Sequence, residues 1–109
     1  MALPDLTRVT GFQWDAGNAR KNDKHGVTQE EAEQVFDHRT FVMEDMKHSV
    51  EEDRFRALGE TSEGRLLQVV FTMRDEGVTI RVISARPMHR AERVLYEAEK
   101  TKAHSQIQN

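Results

Sequence analysis

The stretch LLQVVFTMRDEGVTIRVISA, residues 66–85, decides the fold of this 109-residue chain. Residues 66–73 form an apolar run of strand length, residues 75–77 have the composition of a tight turn, and residues 78–85 form a second strand-like run. A further strand is predicted at residues 54–60, with a turn at residues 61–64. Three consecutive strands joined by short turns predict an antiparallel meander.

The residues before the meander predict one strand and two helices. Residues 9–14 are short and partly apolar, which favours a strand, and Asp15 is placed to cap the helix that follows. Gly26 ends that helix, because glycine enters the left-handed terminating conformation without steric cost. Thr28 and Glu31 have the spacing of a capping box at the start of the second helix.

A last helix is predicted after the meander. Pro87 suits its first turn, where the missing backbone donor costs nothing. One apolar stripe recurs at helical spacing and would lie on the sheet: Met88, Ala91, Leu95 and Ala98. The expected fold is α+β, a small antiparallel sheet of the meander plus the N-terminal strand, with two N-terminal helices and one C-terminal helix. Residues 37–53 are predicted to be mostly loop, with only residues 41–43 able to form a short strand.

The length and composition predict one domain in the cytoplasm. A single domain is expected over residues 9–100, preceded by a poorly ordered lead-in, residues 1–8, and followed by a polar tail, residues 101–109. Without cysteine the fold depends on packing alone, and a reducing compartment is expected. No apolar run approaches membrane-spanning length, and no signal peptide is indicated.

The charge pattern limits how the protein could bind nucleic acid. With 16 Lys and Arg against 19 Asp and Glu, the formal net charge is −3. This balance argues against a protein that coats nucleic acid, so any RNA contact must be local. Acidic residues are concentrated at positions 30–33 and 44–53, whereas arginines recur from residue 54 to residue 93. That separation permits a basic face on an acidic protein.

An ordered set of short motifs covers residues 12–97. The first half contains Phe12-x-Trp14-Asp15-x-Gly17-Asn18, Lys21, Lys24-His25-Gly26-Val27, Glu31-x-Glu33 and Phe36. The later half contains His48-Ser49, Glu52-x-Arg54, Gly59-x-Thr61-x-x-Gly64-Arg65-x-Leu67, Phe71-Thr72-x-Arg74, the run IRVISAR at residues 80–86, and Glu92-Arg93-x-x-Tyr96. This set resembles the signature of the BrnT family of toxins from bacterial type II toxin-antitoxin pairs.

The resemblance implies a compact ribonuclease toxin with a RelE-like fold that cleaves RNA and inhibits translation. It also implies a BrnA-like antitoxin that wraps the toxin and carries the DNA-binding part, so that DNA is contacted only indirectly. It is compatible with a homodimer or with a heterotetramer containing the antitoxin. No cofactor and no membrane contact are expected.

Metal-free RNA cleavage needs groups that move protons and groups that neutralise the phosphate. The 2′-hydroxyl is the nucleophile, so the protein must help to remove its proton and must protonate the 5′-leaving oxygen. An imidazole is the side chain best suited to proton transfer at neutral pH, so His25, with Lys24, is the candidate for proton transfer or charge stabilisation. Three arginines have permanently charged guanidinium groups that could hold phosphate oxygens by two-point hydrogen bonds: Arg65, Arg81 and Arg86.

Each candidate also has a purely structural interpretation. His25 and Lys24 lie at a predicted helix end, where a cation stabilises the helix dipole. Arg81 could pair with Glu52 or Glu97, Arg86 could make a capping contact, and Arg65 could simply be solvated.

Three further side chains are candidates for binding substrate, namely Trp14, Arg54 and Tyr96. Trp14 could stack a base, but Trp14 and Tyr96 also have the character of packing residues. The five histidines show no metal-ligand spacing, so no metal site is predicted.

A second function class is compatible with the same residues. The chain could be a non-catalytic subunit that binds an antitoxin, with the complex acting as an autorepressor on DNA. The arginines would then meet acidic residues of the partner. A stand-alone DNA-binding regulator is disfavoured, because no predicted helix has a clustered basic face.

Overall fold

The computed structural model describes residues 3–48 and 51–108, and within them the side chains other than those of residues 21–23, 48 and 103–108. Ser49 of the His48-Ser49 motif therefore lies outside the described residues. The strands are β1 (Gly11–Gln13), β2 (Phe41–Glu44), β3 (Phe55–Glu60), β4 (Leu66–Arg74) and β5 (Thr79–Pro87). The helices are α1 (Ala16–Lys24), α2 (Gln29–Gln34) and α3 (Arg90–Gln108). Short 3-10 turns cover Leu6–Arg8, Met46–His48 and Asp75–Gly77.

The five strands of the described chain form one sheet in the order β1-β5-β4-β3-β2. The predicted meander is confirmed as β3-β4-β5, and the predicted N-terminal strand is present as β1. Two expectations were wrong. The sheet has five strands instead of four, and it is mixed, because β1 pairs with β5 in parallel. The fifth strand, β2, comes from the segment assigned mainly to loop. Its four residues are too few to show a period, and pairing with β3 makes it a strand.

One face of the sheet carries the larger core. Val27, Ala32 and Val35 are buried there against apolar residues of β3, β4 and β5. The predicted capping box is present, since the Glu31 backbone N–H donates to Thr28 Oγ1 and the Thr28 N–H donates to Glu31 Oε1, both at 3.0 Å. Burying three aliphatic side chains stabilises the contact of this short helix with the sheet by several kcal/mol, roughly 1.5–3 kcal/mol for each large side chain.

Helix α1 lies along β5. The short strand β1 pairs only with Thr79–Arg81 of β5, so the rest of that edge of β5 has no partner strand among the described residues. Asp15 caps α1 as predicted, because its Oδ1 accepts from the Gly17 and Asn18 N–H groups at 2.9 and 3.1 Å. The buried Asn18 amide donates to the Val82 carbonyl at 2.8 Å and to the Gln13 carbonyl at 3.0 Å. Beyond β1 this side-chain amide therefore satisfies an edge carbonyl of β5. At the other end, Gly26 has the predicted left-handed φ of +68°.

The opposite face of the sheet carries a smaller core under α3. Leu58, Met88 and Tyr96 are buried in it, with Phe41 and Leu66 packed against them. The predicted position of Pro87 was wrong, because Pro87 is the last residue of β5, paired with Leu67, and α3 begins at Arg90. A proline is tolerated at a strand end because it need not donate there.

The predicted apolar stripe of α3 was also wrong. Met88 is buried, but Ala91, Leu95 and Ala98 are exposed. The helix leans on the sheet mainly through Tyr96, an aromatic that reaches farther than alanine can. The helix continues to Gln108, through the segment predicted to be a polar tail. No helix within the described residues is long and apolar enough to cross a membrane.

A β-bulge in β5 decides which of its side chains share a face. Val70 pairs with Ser84 and Phe71 with Val82, so Ile83 is the extra residue. The side chains of a regular strand alternate, so Arg81 and Arg86, five residues apart, would point to opposite faces. The extra residue shifts the alternation by one position after Val82. Arg81 and Arg86 therefore both lie on the face away from the larger core.

Candidate functional site

A groove of about 650 Å³ lies on the part of the sheet face that α3 leaves uncovered. Its floor comes from three adjacent strands, through Arg56 of β3, Gln68 and Val70 of β4, and Ile83 and Ser84 of β5. Four cationic side chains line it: Lys47, Arg54, Arg56 and Arg86. Two acidic side chains line the same groove, Glu44 and Asp45. The groove is thus locally cationic in a protein whose formal net charge is −3.

Arg86 is held at one end of the groove by a two-point ion pair. Its Nη1 and Nη2 atoms each donate to one carboxylate oxygen of Glu92, both at 2.7 Å. In the orientation that satisfies both neighbours, the Gln68 amide donates to Glu92 at 2.8 Å and accepts from Arg86 at 2.9 Å. The Arg86 hydrogen bonds, with a smaller contribution from the His89 N–H, hold the pKa of Glu92 below its usual value. Arg86 is therefore preorganised by α3.

Arg56 lies across the groove floor and lacks such a partner. No ion pair joins it to any residue that the structure describes, and its Nε atom is buried without a hydrogen-bond acceptor. A buried donor left unpaired costs about 1–3 kcal/mol. Arg54, the residue before β3, has its Nε 4.0 Å from a carboxylate oxygen of Glu52, which also accepts from Arg74 at 2.6 Å.

Sequence reasoning did not single out Arg56 as a site residue. A usable signal was present, because Arg54 and Arg56 are two residues apart and so share one face of an extended segment. What the sequence could not supply was the choice of face, which depends on the two cores and on the position of α3.

Arg65 is brought to the corner formed by Lys24, His25 and Gly26. Its Nη1 donates to the Gly26 carbonyl at 3.2 Å and to Glu31 Oε2 at 2.7 Å. The Thr28 backbone N–H and, after it, Arg65 hold the pKa of Glu31 below its usual value. The side chains of Lys24 and His25 are exposed at the end of α1. Arg65 and the predicted proton-transfer residues are therefore neighbours at one corner of the molecule.

Arg81 binds Asp15, which is neither of the carboxylates considered for it from the sequence. The distance from Arg81 Nη1 to Asp15 Oδ2 is 2.7 Å. The Arg81 hydrogen bond and the Asn18 N–H hold the pKa of Asp15 below its usual value. Arg81 shares a sheet face with Arg86, but no hydrogen bond or ion pair among the described side chains joins either arginine to the other or to His25.

Of the three predicted substrate-binding residues, the structure places only Arg54 in the groove. Trp14 packs against the larger core, on the other face of the sheet, and its Nε1 donates to Glu33 at 2.8 Å. Tyr96 is buried in the smaller core, where burial and, to a lesser degree, the charge of Glu60 raise the pKa of its hydroxyl. Both aromatics have the packing role that was the alternative for them.

Comparison with protein families decides what kind of protein this is. The model of the ribonuclease toxin BrnT of type II toxin-antitoxin systems matches residues 14–92, more than half of the chain. The chain belongs to the BrnT family. A search of curated proteins found no match. The BrnT match includes every residue that lines the groove, together with Lys24 and His25, but not Tyr96.

Membership of the BrnT family makes the chain a ribonuclease toxin by family, for which an RNA substrate and an antitoxin partner are implied. A groove with an excess of arginines can hold a phosphate backbone without reading its sequence. In the described part of the chain, no group of three or more His, Asp or Glu side chains is arranged to hold a metal ion.

Proposed function

We propose that this protein is an endoribonuclease toxin that cleaves RNA without a metal ion and thereby inhibits translation in the cytoplasm. The observation that carries the proposal is the cationic groove on an acidic member of the BrnT family. An acidic protein gains nothing for its stability from gathering cations on one sheet face, because like charges repel each other. A polyanionic substrate accounts for the arrangement.

The proposed chemistry is attack by the RNA 2′-hydroxyl on the neighbouring phosphorus, with loss of the 5′-oxygen. In this proposal Arg81 and Arg86 hold the scissile phosphate with help from Arg65, and His25 with Lys24 supplies proton transfer or charge stabilisation. Of these five residues only Arg86 lines the groove, so the proposal requires the other four to reach RNA that extends beyond it. The carboxylates of Asp15, Glu31 and Glu92 hold the three guanidinium groups in the free protein, at 2.7 Å in each case. A phosphate that displaces a carboxylate would meet a fork already fixed in orientation.

The proposed partner is a BrnA-like antitoxin that covers the toxin and carries the DNA-binding part of the complex. The toxin itself then touches DNA only through that partner. The proposed assembly is a homodimer or a heterotetramer that contains the antitoxin. The proposed fold relationship is to RelE-like toxins. The five-stranded sheet with helices on both faces supports a compact toxin of this kind.

Cleavage of a defined RNA by the purified protein in EDTA tests the enzymatic proposal. The wild type should cut the RNA, and His25→Ala should lower the rate by roughly 100-fold or more, the usual effect of removing a general acid or base. His38→Ala is the matched control, since His38 is an exposed histidine after α2 with no assigned role. Equal rates for His25→Ala and the wild type would remove His25 from the mechanism.

One observation favours a second candidate function. The three arginines proposed to hold the scissile phosphate are each neutralised by an internal carboxylate. That arrangement also suits a non-catalytic subunit whose complex with the antitoxin regulates its own synthesis. Expression of the chain alone discriminates the two, because an active ribonuclease arrests growth and a binding subunit does not. Unimpaired growth together with uncut RNA would support the second function.

A further inference from the structure

Arg56 is a cation of the groove floor that the proposed mechanism does not use. Arg56 has no carboxylate partner among the described residues, whereas Arg86 is bound by Glu92 and Arg54 lies beside Glu52. Its Nε is buried and unsatisfied although the residue is on a central part of β3, between β2 and β4. An unpaired buried donor in a folded protein calls for an explanation, and a binding site for an acceptor is one.

The surroundings of Arg56 suit an anionic ligand with an apolar part. Val70 and Ile83 form apolar floor beside it, and Ser84 contributes a hydroxyl directly across β4. Arg56 and Arg86 lie two strands apart and two residues apart in register, about 12 Å in the sheet plane from the usual strand spacing and rise. A groove of about 650 Å³ is of the size that accommodates ligands such as a nucleotide.

We infer that Arg56 is the residue that binds an RNA phosphate in the free toxin, before any internal ion pair has to open. A phosphate oxygen supplies the acceptor that Nε lacks, and the planar guanidinium fork matches phosphate geometry. Arg86 binds the chain only after Glu92 releases it, so Arg56 acts first. This inference rests on the proposed function and adds to it the residue that captures the substrate.

Binding of an uncleavable RNA tests the inference separately from catalysis. The probe is a fluorescein-labelled single-stranded oligonucleotide with 2′-O-methyl groups at every position, which removes the nucleophile, and the readout is fluorescence anisotropy over a range of salt. Arg56→Gln should weaken binding roughly 10-fold or more and reduce the slope of log affinity against log salt by about 0.7, as expected for one lost phosphate contact. Arg56→Lys should keep the slope but lose affinity, because it keeps the charge and loses the fork.

Arg39→Gln is the matched control. It removes the same charge from an exposed position in the loop before β2, beside a different and smaller pocket, and should leave binding unchanged. The melting temperature of Arg56→Gln should not fall, because the substitution removes a buried unsatisfied charged donor. A loss of binding together with a lowered melting temperature would overturn the inference, because a structural role would then explain it.

The outcomes separate this inference from the proposed function. If Arg56→Gln binds the probe as the wild type does, the inference is wrong, even if the protein cuts RNA. If binding depends on Arg56 but natural RNA stays intact in EDTA, the capture residue stands and the proposed catalysis fails. If Arg56→Gln loses affinity for the antitoxin and keeps affinity for RNA, the groove is a protein interface and the inference is overturned.

Discussion

Glu92 has two structural roles at once. It neutralises Arg86 in the groove and, through Oε1, accepts from the His89 N–H at the start of α3. With only 14% of its side chain exposed, the ion pair is partly shielded from water and from salt. The position of α3 and the availability of Arg86 are therefore coupled through one carboxylate.

Replacing Glu92 by Gln should lower the free energy of unfolding at pH 7 by about 1–3 kcal/mol, because charge-assisted hydrogen bonds are lost and Arg86 is left without its partner. The pKa of Glu92 is lower in the folded protein than 4.5, the ordinary value of a glutamate side chain. Its contribution is therefore complete above about pH 4.5 and is lost as the pH falls through the folded pKa. The difference between wild type and Glu92→Gln, measured by urea unfolding from pH 7 to pH 3, should shrink in that acidic range.

Glu63→Gln is the control for this series, since Glu63 is an exposed carboxylate in the turn between β3 and β4. It should leave the pH dependence of stability unchanged. A gap between wild type and Glu92→Gln that stays constant down to pH 3 would contradict the assignment of a lowered pKa to Glu92.

At the scale of elements, the contact of α2 with β3 depends on a missing side chain. Gly59 lies in β3 directly under Val35, the residue that caps α2. A Cβ atom at Gly59 would be 2.8 Å from Val35 Cγ1 and 2.9 Å from the Val35 carbonyl oxygen. The carbonyl cannot rotate away as a side chain can, so the helix itself would have to move.

We expect Gly59→Ala to destabilise the protein by about 1–3 kcal/mol, the usual range for overpacking a core. Gly11→Ala is the matched control, because a Cβ atom there meets nothing within 4 Å and Gly11 is also a strand residue. Its effect should stay within about 0.5 kcal/mol. Chemical denaturation of both variants measures the difference, and equal stability of the two would show that α2 is not seated closely on β3.

At the scale of the whole molecule, one sheet joins the two cores. The larger core is on the face of α2 and the smaller is under α3, and both use residues of β3 and β4. The only tryptophan, Trp14, packs against the first core, and the only tyrosine, Tyr96, is buried in the second. Each face therefore carries its own spectroscopic reporter.

Because neither core can lose its strands without exposing the other, the protein should unfold in one cooperative transition. Urea unfolding can be followed by Trp14 fluorescence, by the near-ultraviolet absorbance of Tyr96 and by far-ultraviolet circular dichroism. The three midpoints should coincide. An earlier midpoint for Tyr96 alone would mean that α3 detaches from the sheet before the rest unfolds.

Much of the secondary structure was predictable from neighbouring residues. The meander follows from apolar runs separated by turns, and the capping box of Thr28 and Glu31 from a spacing of three residues. The left-handed Gly26 follows from its lack of a Cβ atom. The BrnT family could likewise be predicted from the order of its motifs along the chain.

By itself, then, the sequence determined the meander, the helix caps and the family, since these depend on residues a few positions apart. Tertiary structure alone decided that the short segment at residues 41–44 joins the sheet as a fifth strand, that β1 pairs in parallel, and that a bulge puts Arg81 and Arg86 on one face. It also decided which carboxylate each arginine meets, since Arg81 and Asp15 are 66 positions apart. The physical reason is that strand pairing and ion pairing join residues distant in the chain, and only packing of the two cores brings them together.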